Sequence, residues 1–487
     1  MVATGVDTVG GAVTAGSAQP LSDRRSQLSW AMFEFARTPY VGLVAMFVFA
    51  PYFAGVVVGD PVHGQEVWGI SNTIAGLCIA LLAPFFGAIA DRLGRRKPWL
   101  ITIVAIMAPC CFLLWFAMPL GMGGLPIVYV AALVILLSVS FEFGQVFHNS
   151  MLPYIAPSQN LGWLSGVGVA MGNIGNLIAM LFVLAFIALP ASNAAGFSFL
   201  PDAPLFGLNA EAHEHDRIVG PISGVWLVLF TIPLILWTRD RPSTNTSAST
   251  AVREGLFQVW VTVKRARELS NVGLYLLARM LYNDGTTAIL AYSGIIAAGV
   301  FKWELADLIL FSIVLSPFTI AGGFVGGWLD RRIGSKLTII LAILSSCVFL
   351  IGAVSMTPEK IFFVMPVDTA QLWSFPYFQT WPEVLFIANY MALGFTVTII
   401  YVASRAMLAG IAPASMVSQF FGLYALSGTA TVFIGHALVT VVTRISHNQQ
   451  VGFSSILILL LAGAALLTRV RPERAKDVTA DTSASNA

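Results

Sequence analysis

Ionisable side chains lie inside long apolar segments of the sequence, where their charge needs an explanation. The main ones are Glu34, Arg37, Glu142, Arg279 and Asp284. A charge within the hydrocarbon core of a bilayer costs roughly 3 kcal/mol or more, so such residues normally pair or face a water-filled cavity. Carboxylates in this setting can carry protons. An Arg and an Asp together suit a zwitterionic solute, because the guanidinium can bind the carboxylate of the solute and the Asp can bind its ammonium group. These residues are therefore candidates for binding a polar solute and a coupling ion.

Neutral polar side chains accompany these charges. Gln145 lies three residues after Glu142, Asn283 directly precedes Asp284, and Asn389 lies in a further apolar segment. Amides of this kind can hydrogen-bond a polar solute, but inside a membrane they more commonly bridge helices. Gln145, Asn283 and Asn389 are therefore further candidates for contacts with a solute.

Each candidate charge has a structural alternative that the sequence leaves open. Glu34 and Arg37 are three residues apart, share a helix face and could form a salt bridge that anchors the end of a span. Asp284 could be an acid that packs helices together, and Glu142 could make a fixed contact at the cytoplasmic face. Three ionisable residues in apolar segments have weaker claims to a site, and they are His148, Arg405 and His436.

The composition indicates a membrane protein. Of 487 residues, 57% are hydrophobic and 10% are charged, whereas soluble domains have about 45–50% apolar and about 25% charged residues. A spanning helix needs about 20 mostly apolar residues, so the chain can supply about a dozen. A soluble enzyme, a disordered chain and a secreted disulfide scaffold are excluded, and an outer-membrane barrel with its polar lumen is disfavoured. The net charge of +2 is too small to indicate a nucleic-acid partner.

Twelve apolar segments predict twelve transmembrane helices, because long uninterrupted runs favour helices over barrel strands in lipid. With both termini placed in the cytoplasm, the inner loops and tails hold 19 of the 26 Lys and Arg residues and the outer loops hold four. This asymmetry agrees with the positive-inside rule. The predicted segments are 28–53, 67–90, 98–118, 126–148, 161–190, 218–238, 271–298, 304–329, 336–356, 382–406, 417–443 and 451–468.

The chain divides into two sets of six segments with polar tails and a polar linker. The linker contains a low-complexity stretch at 243–251 and an amphipathic stretch at 255–268, which predicts an interfacial helix. The predicted divisions are a disordered tail over 1–27, a six-helix bundle over 28–238, a cytoplasmic linker over 239–270, a second six-helix bundle over 271–468 and a disordered tail over 469–487.

The two halves repeat each other in sequence. GAIADRLGRRK (87–97) follows the second segment, and GGWLDRRIGSK (326–336) follows the eighth. MLPYIAP (151–157) and MLAGIAP (407–413) share five of seven positions. Equivalent connectors in a six-plus-six chain predict two parallel halves related by a pseudo-two-fold axis, as in secondary transporters.

The chain resembles the major facilitator superfamily and, within it, the vacuole-effluxer branch of autophagy-related amino-acid effluxers and bacterial relatives. GAIADRLGRRK looks like the superfamily signature after the second helix. The resemblance implies an all-α fold of twelve transmembrane helices in two pseudo-symmetric bundles, with helices 1, 4, 7 and 10 around a central cavity. The candidate charges lie in helices of that set. Segments similar to the branch are SWAMFEFARTPY (29–40), VFHNSMLPYIAP (146–157), ARMLYNDG (278–285), SRAMLAGIAP (404–413) and FFGLYALSG (420–428).

The resemblance also implies a conformational latch at the cytoplasmic face. The Asp of the first signature would meet the free amide N–H groups at the start of helix 11, around 415–419. The Asp of the second would meet the start of helix 5, around 160–162, and the arginines would pair with acids or carbonyls of the other half. The alternative is that these residues only form a turn and supply the positive charge that keeps the loop in the cytoplasm. The latch candidates are Gly87, Asp91, Arg92, Gly94, Arg95 and Arg96 in the first copy and Asp330, Arg331 and Gly334 in the second.

We expect no cofactor, no bound metal and no catalytic centre, so the chain is not predicted to be an enzyme. The four cysteines lie in apolar runs and resemble small buried hydrophobes. The glycine-rich stretches lack the Lys-Ser or Lys-Thr of a phosphate loop. One outer loop places His213 and His215 beside acids that include Asp216. Such residues can bind metal, but solvated loop charges are the favoured interpretation.

These observations predict a secondary active transporter that moves a small polar solute, foremost an amino acid, by rocking its two halves. Protons are the expected coupling ion, through Asp284, Glu34 or Glu142. A sugar or drug carrier on the same fold is one alternative, and a transporter-like receptor or lipid-handling protein without solute flux is another. We expect a monomer in the plasma membrane, the inner membrane of a bacterium, in contact with the lipid bilayer.

Overall fold

The helices account for most of the chain. The computed structural model describes residues 23–92, 95–156, 161–191, 201, 203–240, 257, 270–367, 370–411, 424, 427–428 and 431–471. Within these residues, ten helices are long and apolar enough to cross a membrane. Two further helices, Pro61–Arg92 and the shorter Val432–Ser446, lie where the second and eleventh spans are predicted. The prediction of an all-α membrane fold is confirmed.

The N-terminal half contains six helices that we number as the spans they form. They are α1 (Arg24–Val57), α2 (Pro61–Arg92), α3 (Lys97–Phe116), α4 (Ile127–Ile155), α5 (Leu161–Val183, continued by a π-helical turn Leu184–Ala188) and α6 (Val219–Trp237). A short helix, Glu214–Arg217, precedes α6.

The C-terminal half contains six more. They are α7 (Ser270–Phe301), α8 (Leu305–Ile333), α9 (Ser335–Val354), α10 (Trp381–Ile411), α11 (Val432–Ser446) and α12 (Ile456–Thr468, preceded by the short helix Gln449–Ser454). The loop after α9 carries a small antiparallel pair, β1 (Lys360–Ile361) and β2 (Met365–Pro366). We call the end of the bundle where α1 begins and α12 ends the terminal face, and the other end the opposite face.

Helix α1 shows how local sequence shapes a span. The Asp23 side chain accepts a hydrogen bond from the backbone N–H of Arg25 at 3.0 Å and caps the helix, so α1 begins before the predicted segment. Two π-helical turns interrupt the helix between residues 41 and 57. Pro51 has no N–H to donate to the carbonyl of Phe47, and the chain bends at 47–48. The span is therefore a broken helix.

The two halves use the same helix pairings. In the N-terminal half, α1 packs on α5 and α6, α2 packs on α4, and α3 packs on α4 and α6. The C-terminal half repeats this arrangement, with α7 on α11 and α12, α8 on α10, and α9 on α10 and α12. A methyl group at Gly175 of α5 would collide with the carbonyl of Phe35 in α1, so the missing side chain allows close approach. The sequence repeat is thus also a repeat of tertiary packing.

Some predicted segments fall outside the described residues. The interfacial helix at 255–268, apart from Phe257, is one of them, and so are most of both tails and the first part of the eleventh span. At the C-terminus, the backbone N–H of Arg471 donates to Asn271 of α7 at 2.7 Å. The chain is therefore anchored to the bundle for a few residues beyond α12.

Candidate substrate and coupling site

Four of the candidate residues in the N-terminal half lie at one contact between α1 and α4. The N-half cluster comprises Trp30, Glu34 and Arg37 of α1 with Gln145 and His148 of α4. Arg37 Nε donates to Glu34 Oε2 at 2.9 Å, and Arg37 Nη2 donates to Gln145 Oε1. Glu34 and Arg37 are both buried. The i,i+3 pair predicted from the sequence therefore exists, and Gln145 joins it from the neighbouring helix.

His148 lies against the same acid. Its Nδ1 is 3.2 Å from Glu34 Oε1, and its Nε2 is 2.9 Å from the backbone oxygen of Trp30. The imidazole stacks on the Trp30 ring with centroids 4.2 Å apart and is fully buried. A carbonyl oxygen only accepts hydrogen bonds, so Nε2 must carry the hydrogen. Nδ1 faces the Glu34 carboxylate and has no hydrogen-bond partner among the described residues.

Glu142 and Asn389 make no hydrogen bond to the described residues of either cluster. Glu142 is partly exposed and makes no hydrogen bond or ion pair with any residue that the structure describes. Asn389 donates to the backbone oxygen of Leu385 at 2.8 Å. A methyl group at Gly352 of α9 would collide with the Asn389 side chain. Asn389 therefore bonds within α10 and packs against α9, with no hydrogen bond to the other candidates among the described residues.

The C-half cluster forms where α7 meets the segment that leads into α11. Arg279 Nη1 donates to the backbone oxygen of Tyr424 at 2.7 Å and to Ser427 Oγ at 2.6 Å. The guanidinium carbon lies 3.4 Å from the centre of the Tyr424 ring, a cation–π contact. Arg279 is buried. Its charge is thus held by a carbonyl, a hydroxyl and an aromatic face.

Asp284 lies in the same interface, with one carboxylate oxygen satisfied. Thr431 Oγ1 donates to Asp284 Oδ1 at 3.1 Å, and Asn283 Nδ2 donates to the backbone oxygen of Gly428 at 3.2 Å. Asp284 is 1% exposed, and its Oδ2 has no hydrogen-bond partner among the described residues. Leaving a buried charged oxygen unpaired costs free energy. The site therefore favours a proton or a cationic ligand group at Oδ2.

Trp30, Tyr424 and Ser427 were not predicted as partners of these candidates, and His148 was predicted only as a weaker candidate. Tyr424 and Ser427 lie within FFGLYALSG, and Trp30 and His148 lie within the segments that begin SWAMFEF and VFHNSML. The sequence could have indicated these residues, because each lies in a segment that carries the family resemblance. What the sequence could not show is which of these segments meet.

The first signature loop is only partly described. Gly87, Asp91 and Arg92 lie in the last turns of α2, and the placement of their side chains falls outside the description, as does Gly94. Arg95 is exposed. The expected partners of Asp91 at 415–419 also lie outside the described residues. The first half of the predicted latch therefore stays a prediction.

Arg96 makes its described contacts within its own half. Its backbone N–H donates to the carboxylate of Asp240 at 2.9 Å, its Nε donates to Ser150 Oγ at 3.3 Å, and its guanidinium lies 4.6 Å from the Tyr154 ring centre. These contacts tie the loop after α2 to α4 and to the end of α6. They differ from the expected pairing with the other half.

The second signature loop forms a compact turn between α8 and α9. Ser335 Oγ donates to Asp330, and Arg331 Nε donates to the backbone oxygen of Gly327 at 3.2 Å. Gly334 has φ +80°, in the region that favours glycine. Asp330 therefore stabilises the turn of its own half in this conformation.

The two halves are joined at the opposite face. Gln65 Nε2 of α2 donates to Thr443 Oγ1 of α11 at 2.8 Å and to the backbone oxygen of Gln449 at 3.2 Å. Gln449 Nε2 donates back to the backbone oxygen of Pro61 at 2.7 Å. All three bonds cross from one half to the other. They close the bundle at this end.

Exposed polar side chains lie on the helices toward the terminal face. Asn149 of α4, Asn173 of α5 and Arg405 of α10 are exposed. Asn173 stands about 18 Å along α5 from Leu161. Lipid cannot satisfy an exposed amide at that depth, so the side chain is expected to meet water. This pattern fits two halves that are closed at the opposite face and parted toward the terminal face.

Comparison with known proteins decides the family. Residues 54–480 match the family described as vacuole effluxer Atg22 like. The chain belongs to this family. The resemblance to the vacuole-effluxer branch of the major facilitator superfamily is confirmed.

Relatives of this Atg22-like chain include a bacterial MFS-type transporter and fungal autophagy-related proteins. An uncharacterized MFS-type transporter, YxiO, of Bacillus subtilis is 23% identical over 467 residues, which cover 93% of this chain and 97% of that protein. Autophagy-related protein 22 of Yarrowia lipolytica is 21% identical over 359 residues, which cover 69% of this chain and 55% of that protein. The Atg22-like chain thus spans about half the length of the fungal relative.

Solved structures confirm the fold. A D-xylose-proton symporter superposes with a TM-score of 0.62 at 13% identity, covering 92% of this chain and 98% of the symporter. At that identity the likeness concerns the fold alone. The Atg22-like chain is therefore an integral membrane transporter of the major facilitator fold, a class that acts on small molecules in a lipid bilayer.

Proposed function

We propose that this Atg22-like transporter moves an amino acid or a similar small polar solute, coupled to protons through Asp284. The observation that carries the proposal is the buried Oδ2 of Asp284, which has no hydrogen-bond partner among the described residues. A carboxylate so enclosed must be neutralised by a proton or by a cationic ligand group. An amino-acid ammonium supplies such a group.

Competition for one carboxylate would provide the coupling. When a proton occupies Asp284, an ammonium group cannot bind it as an ion pair, and the reverse also holds. A solute carboxylate could then bind Arg279, which now donates to Tyr424 and Ser427. Binding would replace those bonds and release the segment before α11. Solute binding is in this way linked to movement of α11 against α7.

Alternating access follows from the closure at the opposite face. Opening that face requires the bonds of Gln65 with Thr443 and Gln449 to break. We propose that the terminal face is cytoplasmic, that the protein works as a monomer in the plasma membrane, and that the two signature loops act as a latch when the terminal face closes. Asp330 would then exchange its contact with Ser335 for contacts across the halves, and Asp91 would do the same from the first loop.

Uptake into proteoliposomes tests the proposal. Thermal stability of the purified protein is first screened against amino acids, sugars and peptides, and the ligand that stabilises is then used for uptake with and without a pH gradient. We expect the gradient to drive uptake by the parent protein and Asp284→Asn to lose the gradient dependence. Glu359→Gln, which changes an exposed acid in a loop, is the matched control and should behave as the parent.

Two results would contradict the proposal. Flux that is independent of the gradient, together with full activity of Asp284→Asn, would remove proton coupling through this residue. Stabilisation by a sugar, and by none of the amino acids, would replace the substrate class and favour a sugar carrier.

A further inference from the structure

The loop before α6 gathers two histidines and an acid at the opposite face. His213 Nδ1 lies 2.9 Å from Asp216 Oδ2, and His215 Nε2 lies 3.3 Å from the same oxygen. One donor atom from each residue lies within 4.8 Å of the others. His215 Nδ1 is buried and has no hydrogen-bond partner among the described residues. The sequence favoured solvated loop charges here, but the fold brings the three side chains together.

The backbone holds this arrangement in place. His213 has φ +50°, which places a non-glycine residue in the left-handed region at a cost of about 1 kcal/mol. The neighbouring Arg217 is buried, and its Nη1 donates to the backbone oxygen of Trp115 at 2.7 Å. Arg217 also lies 3.5 Å from Glu214. The loop is thus anchored to α3.

The donor set and its spacing suit a transition-metal ion. Zinc bound tetrahedrally at about 2.0–2.2 Å has ligand atoms separated by about 3.4 Å. The 3.3 Å separation of His215 Nε2 from Asp216 Oδ2 is close to that value, and the 2.9 Å hydrogen bond from His213 to the same oxygen would have to lengthen. Two imidazoles with one carboxylate leave a fourth position for water or another ligand. Imidazole ligands also favour zinc, copper, iron and nickel over calcium and magnesium, which prefer oxygen ligands.

The cluster faces the other half of the protein. It lines a cavity of about 450 Å³ whose other walls include Lys302, Trp303 and Glu304 between α7 and α8. Glu304 is an oxygen donor presented from the C-terminal half. An ion held by the cluster would therefore lie in a cavity that both halves line, at the face where they are closed.

We propose that His213, His215 and Asp216 bind a divalent transition-metal ion, and that Zn²⁺ at this site holds the opposite face closed. The cluster lies at the opposite-face end of the bundle, where the nearest α7 residue of the cavity wall, Ile295, stands about 16 Å along the helix from Asp284. Zinc binding by these residues does not depend on which solute is transported. The effect of zinc on transport rests on the closure between the halves in the proposed function.

Calorimetry with ZnCl₂ on the purified full chain in detergent tests the binding. We expect the parent to bind zinc and the double variant His213→Ala/His215→Ala to bind it at least tenfold more weakly, since two of three ligands are removed. His447→Ala is the matched control, because His447 is an exposed histidine that also has a positive φ, +51°, and precedes a short helix. The control should bind zinc as the parent does.

Thermal unfolding of the same proteins shows whether the variants are folded, and uptake in proteoliposomes tests whether zinc holds the opposite face closed. Without zinc, the double variant should still unfold cooperatively but at a lower temperature than the parent, because the buried Asp216 loses both histidine partners. Zinc should raise the melting temperature of the parent and the control alone. Zinc should also slow uptake by the parent in proteoliposomes and leave the double variant unaffected. Equal zinc binding by the parent and the double variant would overturn the site. Zinc binding by the parent without slower uptake would overturn the closure.

Discussion

In the N-terminal half, the buried acid Glu34 meets a basic side chain at each carboxylate oxygen, Arg37 at one and His148 at the other. In the C-terminal half, Asp284 meets the Thr431 hydroxyl at one oxygen and no hydrogen-bond partner among the described residues at the other. The first acid is compensated within its own half. The second has an oxygen left for a proton or a ligand, so the halves share a fold but differ in what their buried charges can do.

The two arginines differ in the same way. Arg37 neutralises an acid one helical turn away and lies over Phe141 at 4.3 Å. Arg279 instead donates to a backbone carbonyl and a hydroxyl before α11. It is five residues from Asp284, about 140° around the helix. Arg37 therefore completes a salt bridge, whereas Arg279 connects α7 to the neighbouring helix.

The largest expected effect separates the two arginines. Arg37→Met should lower the free energy of unfolding by about 3–5 kcal/mol, because it leaves Glu34 as a poorly compensated buried charge. Arg279→Met should cost about 1–3 kcal/mol, since it leaves only a carbonyl and a hydroxyl unpaired. Denaturant titration of the purified variants in detergent micelles measures both. The double variant Glu34→Gln/Arg37→Met should recover part of the loss, and equal losses for the two single variants would break the comparison.

A smaller effect separates the two acids. Glu34→Gln should cost about 2 kcal/mol, because the buried Arg37 loses the charge it faces. Asp284→Asn should change the free energy of unfolding by less than about 0.5 kcal/mol, since Thr431 can donate to the amide oxygen and no counter-charge is left behind. The same titration compares the two. A larger loss for Asp284→Asn than for Glu34→Gln would show that Asp284 serves to pack helices.

The smallest effect concerns the second signature loop. Gly334→Ala should cost about 1 kcal/mol, because φ +80° disfavours a residue with a side chain. Gly327→Ala is the matched control, as it lies in helical α8 with open space around it. Alanine there should be neutral or stabilising. Equal melting temperatures for the two variants would mean that the turn does not require glycine.

Much of the fold was predictable because membrane helices follow from local composition. The spans appear close to their predicted positions, and the repeat between the halves was visible in the connectors. The start of α1 was harder to predict, because it depends on capping by Asp23. The breaks in α1 around Pro51 were likewise not expected from the length of the apolar run.

The candidate site was predictable in part. The pairing of Glu34 with Arg37 follows from their spacing on one helix. The contact of His148 with Glu34 and that of Arg279 with Tyr424 and Ser427 join residues more than 100 positions apart. A single sequence does not show which residues so far apart in the chain are in contact. Hydrophobic patterning does not indicate which polar residues face one another.

The sequence by itself determined the membrane class, the approximate spans, the two-fold repeat and the family, since each depends on composition or on contiguous motifs. Only the tertiary structure decided which buried charges are compensated. The physical reason is that the energy of a buried charge depends on the atoms within about 4 Å of it. Those atoms come from helices that are distant in the chain, as with Asp284 and Thr431, and the same holds for the cavity shared by His213 and Glu304.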